Sequence, residues 1–167
     1  MTSHIAQTHL PEWRLDDLYA GRDDPRIEAD IEAARAANAG LVALKGQFLA
    51  QADDPARLGE LLDKGLTLYE HATNGLWSVG AYASLATSTA REDANWARFE
   101  ADLRARSAQI GAESLFFALE LNALSDAQIA EAYLAHPPAA RQEARRVIGS
   151  SDVLVPCHAS VPLSVQP

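Results

Sequence analysis

The sequence has few of the residues that carry chemistry or cross-link a chain. It contains one cysteine, Cys157, among 167 residues, which excludes an internal disulfide and a cysteine-rich metal cluster. No apolar run is long enough to cross a bilayer. The first seven residues lack the basic segment followed by an apolar stretch that marks a signal peptide. We therefore expect a cytoplasmic protein.

Positive charge is also scarce. The chain has 14 Lys and Arg residues against 23 Asp and Glu residues, which gives a net charge of −9. Such a surface repels phosphate backbones and anionic lipid. We therefore expect neither a nucleic acid nor a membrane as a partner.

β-Branched residues are sparse until the last twenty or so positions, whereas alanine is abundant. Alanine favours helix because it loses no side-chain entropy on ordering. We therefore predict an all-α fold, an antiparallel bundle of long helices with an irregular C-terminal tail. The length suits one domain. The predicted boundaries are a flexible tail over 1–9, a helical domain over 10–147 and an irregular tail over 148–167.

Two Asp-Asp-Pro sequences predict helix starts, with Asp24 and Asp54 as N-caps and the prolines in the first turn. The first helix should end near Gln51. Capping-box spacing at Thr89 and Ser125 predicts two further starts. The helix after Ser125 should stop before His136, and a last helical segment should cover 139–147.

Apolar residues at three- and four-residue spacing predict the buried side of each helix. The first helix carries Ile27, Ile31, Ala34, Leu41, Leu44 and Phe48. The second carries Leu58, Leu62, Tyr69, Ala72, Leu76, Val79, Ala83 and Ala86, with Leu61, Leu68 and Leu85 beside them. The third carries Trp96, Phe99, Leu103, Ile110, Leu115, Phe116 and Leu119. Most aromatics, including Trp77 and Tyr82, are predicted to pack in the core. An apolar edge is predicted to dock on the helices, and it comprises Trp13, Leu15, Leu18 and Tyr19.

The histidines do not form a recognisable site. They are His4, His9, His71, His136 and His158. No two stand at the four-residue spacing that places two imidazoles on one helix face around zinc. Glu70-His71 lacks the second histidine of such a motif, and nothing beside Cys157-His158 lowers the thiol pKa. We expect no catalytic, cofactor-binding or metal-binding residue in this chain.

Three carboxylate pairs, at 16–17, 23–24 and 53–54, are the other candidates for chemistry. Two of them precede proline and are explained as helix starts. Acid–base work also requires burial to shift a pKa, and the sequence places none of these pairs in a pocket.

Three stretches resemble a known family. They are LPEWRLDDLY at 10–19 with DPRIE at 24–28, AYASLATST at 81–89, and LFFALELNAL at 115–124. Their order and spacing resemble the N-terminal region of oligoendopeptidase F and its relatives in the M3 family of zinc metallopeptidases. The resemblance covers about residues 10–146.

The resemblance implies an almost wholly helical enzyme with a deep channel for short peptides. In that family, two histidines of an HExxH helix and a downstream glutamate hold zinc, and the motif glutamate is the general base. These residues lie in the C-terminal half, and the N-terminal helices form one wall of the channel. The present sequence has no HExxH, so no site residue is carried over, and zinc is expected only in the full-length family.

Composition and periodicity change together near Ile148, which suggests a truncated or frameshifted gene product. We therefore expect a chain that is inactive alone and that self-associates through apolar surface normally covered by a second lobe. The alternative is a free-standing helical bundle that binds a protein partner.

Overall fold

The computed structural model describes residues 14–90 and 92–137. Within them the chain forms five helices and no strand: α1 (Pro25–Val42), α2 (Gln47–Ala50), α3 (Pro55–Thr89), α4 (Ala94–Ala123) and α5 (Asp126–Ala135). The all-α prediction is confirmed. None of the described helices combines the length and the apolarity needed to cross a membrane. The predicted tails over 1–9 and 148–167 and the predicted helix over 139–147 lie outside the described residues.

The starts of α1 and α3 are where the Asp-Asp-Pro sequences predict them. The Asp24 carboxylate accepts a hydrogen bond from the backbone N–H of Arg26 at 2.9 Å. The Asp54 carboxylate accepts one from the backbone N–H of Arg57 at 3.1 Å. Both side chains therefore satisfy a donor that the first helical turn leaves without a partner.

The prediction of one helix from Pro25 to Gln51 is wrong, because the helix is interrupted after Val42. Gly46 adopts a φ of 81°, in the left-handed region that favours glycine. Its N–H donates to Oε1 of Glu120 at 2.7 Å, which compensates for the lost helical bond. The apolar stripe is nevertheless buried as predicted on both sides of this turn.

The capping box predicted at Thr89 is also wrong. The α3 helix continues through Thr89, whose hydroxyl donates to the carbonyl of Ala86 at 2.9 Å. Asp93 starts α4 instead, because its carboxylate accepts from the backbone N–H of Asn95 at 2.8 Å. A polar residue that bonds back to its own helix is not available to begin the next one.

The short helix α5 is predicted correctly. Ser125 and Gln128 form a reciprocal capping box in which each side chain bonds to the other residue's backbone N–H. The helix ends at Ala135, and His136 follows as its C-cap.

The described residues divide into two compact units. One comprises 14–40 and 69–113, and the other comprises 41–68 and 114–137. The helices α3 and α4 each contribute residues to both units.

The first unit has an apolar core with a buried polar group at its margin. The side-chain amide of Asn38 donates to the carbonyl of Ile110 at 3.2 Å and to Oε2 of Glu113 at 3.1 Å. Arg106 makes two hydrogen bonds of 2.7 Å to Glu28, one to each carboxylate oxygen. These contacts fix α1 against α4. The core comprises Tyr19, Ile27, Ile31, Val79, Tyr82, Ala83, Leu103 and Ile110.

The second unit is organised around two aromatic rings and two glycines of α3. The rings of Phe48 and Phe117 lie 5.2 Å apart. A Cβ atom added at Gly65 would stand 2.8 Å from Phe48, so only glycine lets the rings approach. A Cβ atom added at Gly59 would stand 2.6 Å from the backbone oxygen of Ala132. The α5 helix therefore packs directly on the α3 backbone.

Four residues predicted to be buried are largely exposed. Trp77 is 65% exposed, Leu119 is 59% exposed, and Leu85 and Leu115 are above 40%. Trp77 follows Leu76 by one position, and one residue is a rotation of about 100° around a helix. The face of α3 that carries Leu76, Val79 and Ala83 packs in the core. Trp77 therefore lies at the edge of that face.

Replacing Gly59 with alanine should lower the free energy of unfolding by about 1–3 kcal/mol, because the new methyl group meets backbone and not a movable side chain. The measurement is urea unfolding followed by circular dichroism. The matched control is Gly80→Ala in the same helix, where the added Cβ meets nothing within 4 Å. Gly80→Ala should raise stability by about 0.5–1 kcal/mol through helix propensity. Equal effects of the two substitutions would contradict the close approach of α5.

Candidate functional site

The two histidines that the structure describes belong to no cluster of three metal-ligating side chains. His71 is exposed on α3, and His136 is the C-cap of α5. Residues 14–90 and 92–137 contain no group of three His, Cys, Asp or Glu side chains that could hold a metal ion. His4, His9, His158 and Cys157 lie outside the described residues.

The pair at 23–24 is a structural element of the first unit. The Asp24 carboxylate accepts from the guanidinium of Arg26, with Nη2 to Oδ2 at 2.7 Å, and from the backbone N–H of Ala20 at 2.8 Å. The hydrogen bonds from Arg26 and then from Ala20 hold the pKa of Asp24 well below its usual range. Asp24 therefore stays ionised and cannot serve as a general acid near neutral pH.

A row of aromatic rings crosses the first unit. Tyr19 and Tyr82 lie 5.0 Å apart between ring centroids, Tyr82 and Trp96 lie 5.9 Å apart, and Trp96 and Phe99 lie 5.8 Å apart. All three pairs are close to edge-to-face, the arrangement in which the positive ring edge meets the negative ring face. The row joins the turn before α1, the end of α3 and the start of α4.

Tyr19 is the first member of this row and is held both by its backbone and by its side-chain hydroxyl. Its backbone N–H donates to the carbonyl of Leu15 at 3.3 Å, and its hydroxyl donates to Oδ2 of Asp30 at 2.7 Å. Burial first, and then the bond to Asp30, raise the pKa of Tyr19 to about 12. The predicted docking of this turn is thus confirmed for Tyr19, whereas Leu18 is exposed and Trp13 lies outside the described residues.

An open cleft of about 510 Å³ lies beside the aromatic row, wholly within the first unit. Its lining includes the rings of Tyr19, Tyr82 and Trp96 and the carboxylate of Asp16. Small residues of α3 and of the turn before α1 complete it. None of the described lining residues is His, Cys, Lys or Arg. The cleft therefore offers rings and a carboxylate for binding, and it offers no nucleophile paired with a base.

The sequence did not predict this cleft. It indicated that Tyr19 belongs to a docking edge and that Tyr82 belongs to an apolar seam. It gave no signal that the two tyrosine rings and Trp96 meet around an opening, because Tyr19 is more than 60 positions before the other two residues in the sequence.

No family model, no curated protein and no solved structure matches the chain.

Replacing Tyr19 with phenylalanine should lower the free energy of unfolding by about 1.5–3 kcal/mol at pH 7, because the Asp30 carboxylate loses the donor of a part-buried hydrogen bond. The folded-state pKa of about 12 is above the ordinary value of 10.0. The stabilisation is therefore complete below pH 10 and is lost as the pH rises from 10 through 12. The stability gap between the wild type and Tyr19→Phe should narrow over that range.

Urea unfolding at pH 7 to 11 measures this gap. The control is Asp30→Asn, which keeps an acceptor for the Tyr19 hydroxyl but removes the negative charge, and should cost less at pH 7. A gap that does not change above pH 10 would contradict the assigned role of the Tyr19 hydroxyl.

Proposed function

We propose that this chain forms the N-terminal helical region of a cytoplasmic M3-type zinc oligopeptidase and contributes one wall of its peptide channel. The proposal is supported by the sequence resemblance and by one contact in the structure. Tyr19 and Tyr82 belong to the first two stretches that carry the resemblance, and their rings pack at 5.0 Å. Residues that define the resemblance are therefore also residues that hold the helices together.

The third stretch, at 115–124, gives similar support from the second unit. Phe116, Phe117 and Leu121 of this stretch are buried, and Glu120 bonds to the turn at Gly46. A helical framework preserved around these contacts would account for the resemblance without requiring that the chain carry any catalytic residue.

The residues of this chain do not fit the zinc site of that family. The sequence has no HExxH, and the described residues bring no three ligating side chains together. In the family the metal activates a water molecule. No step through zinc is assigned to this chain, whose proposed part is to shape the space that a peptide enters.

The purified chain should not hydrolyse a short internally quenched fluorescent peptide, with or without added zinc. The assay is run beside an intact M3-type peptidase as a positive control. Hydrolysis by the chain that saturates with peptide and is abolished by a chelator would contradict the assignment of all catalytic residues to another part of the enzyme.

A second candidate function is a free-standing module that binds another protein. The observation that favours it is an exposed apolar pair on α4, Leu115 and Leu119, which stand four residues apart on one helix face. In a peptidase lobe such a face would be covered by the rest of the enzyme, so the isolated chain should associate without a fixed stoichiometry. A module should be a monomer or a defined oligomer that unfolds cooperatively.

Replacing Leu119 with glutamate should reduce concentration-dependent association, because it places a charge within the exposed pair. Sedimentation velocity over a range of concentrations measures the effect. The control is Ala33→Glu, which adds the same charge at an exposed site on α1. Both variants should unfold within about 0.5 kcal/mol of the wild type. An equal loss of association in both would show a general effect of charge and would contradict a specific apolar face.

A further inference from the structure

We propose that the cleft lined by Tyr19, Tyr82, Trp96 and Asp16 binds a primary alkylammonium group, such as the side chain of a lysine in a peptide. The inference is separate from the peptidase proposal, because it rests on the chemistry of the cleft itself.

The shape suits a small group on a flexible stem. A volume of about 510 Å³ lies within the range of about 300–1,000 Å³ found for small-molecule sites. The cleft is open to solvent on one side, so an alkyl chain can enter from the surface. Ala86 and the other small lining residues leave apolar surface for the methylene groups.

The charge of the cleft selects a cation. Asp16 is the charged residue among the described lining residues, and no described Lys, Arg or His accompanies it there. Its ion pair with Arg14 has a separation of 3.4 Å, and both side chains are more than half exposed. Exposed ion pairs of this kind contribute little to stability, so an incoming ammonium group can replace Arg14 as the partner of Asp16. The net charge of −9 adds a long-range attraction.

The rings favour the same ligand, and Trp96 is the ring most open to it, because Trp96 is partly exposed whereas Tyr19 and Tyr82 are buried. Aromatic faces attract a cation within about 6 Å of the ring centroid. Within this same cluster, the guanidinium of Arg26 already lies 5.4 Å from the centroid of the Tyr19 ring. The Asp16 carboxylate would repel an anion, and a neutral alcohol could donate a hydrogen bond to Asp16 but would lack the attraction of opposite charges.

Fluorescence of Trp96 gives a direct test. The chain has three tryptophans, so a Trp13→Phe, Trp77→Phe background leaves Trp96 as the reporter. Increasing concentrations of hexylammonium should change the Trp96 emission until the change reaches a plateau. Hexanol and hexanoate, which have the same alkyl chain, should bind at least about fivefold more weakly, because they lack the charge that meets Asp16 and the rings. Raising the salt concentration should weaken the binding of hexylammonium.

Two neighbouring carboxylates supply a matched pair of variants. Asp16→Asn should weaken the binding of hexylammonium about two- to fivefold, which is the effect expected for the loss of an exposed charge contact. Asp17→Asn, next to it but not in the lining of the cleft, should leave binding unchanged. Both side chains are exposed, so both variants should have the same melting temperature as the background protein.

Three results would each overturn the proposal. They are equal binding of hexanol and hexylammonium, equal effects of Asp16→Asn and Asp17→Asn, and no saturable change in emission. Sedimentation run in parallel identifies a different occupant: a dimer that forms without amine and is dispersed by Asp16→Asn would show that a second copy of the chain fills the cleft.

Discussion

The rest of the structure depends on how closely other segments approach the backbone of α3. At two points that approach leaves no room for a side chain. Gly59 faces the backbone of α5 at Ala132, and Gly65 faces the ring of Phe48. At Gly75 the approach is less close, since an added Cβ atom would stand 3.3 Å from a methyl group of α1. Glycine within a helix costs about 1 kcal/mol relative to alanine. Close packing of backbone and rings on α3 offsets that cost, and it explains why a helix of 35 residues tolerates several glycines.

Much of this fold could be predicted from the sequence, because burial follows the helical period. The stripe of α1, its proline start and the capping box of α5 follow from local rules. Local rules fail where a distant residue decides the outcome. The break after Val42 depends on a carboxylate of α4, and the exposure of Trp77 depends on which line of α3 the neighbouring helices cover. Thr89 had the right spacing for a cap, but Asp93, an equally good cap, lies closer to the start of α4.

The candidate site was less predictable than the fold. Its aromatic rings and its carboxylate are suited to binding, and it has no nucleophile paired with a base. No sequence motif therefore identifies it. Tyr19 and Trp96 were both recognised as apolar residues. Only the folded chain shows that they share a cleft with Asp16, since the sequence gives spacing along a helix and not distance between helices. The proposed channel wall and the proposed amine cleft would both be recognition surfaces, and each requires only that the helices hold their positions.

The hydrogen bond between Glu120 and the N–H of Gly46 joins residues that are 74 positions apart in the sequence. The turn after α1 is therefore not completed by its own neighbours. During synthesis the ribosome must release most of α4 before this bond can form, and closing so long a loop carries an entropic cost that local helix formation does not. Local backbone hydrogen bonds, such as that from the N–H of Gln47 to the carbonyl of Leu44 at 3.0 Å, can shape this turn early, whereas the N–H of Gly46 gains its partner only after the end of α4 has been synthesised.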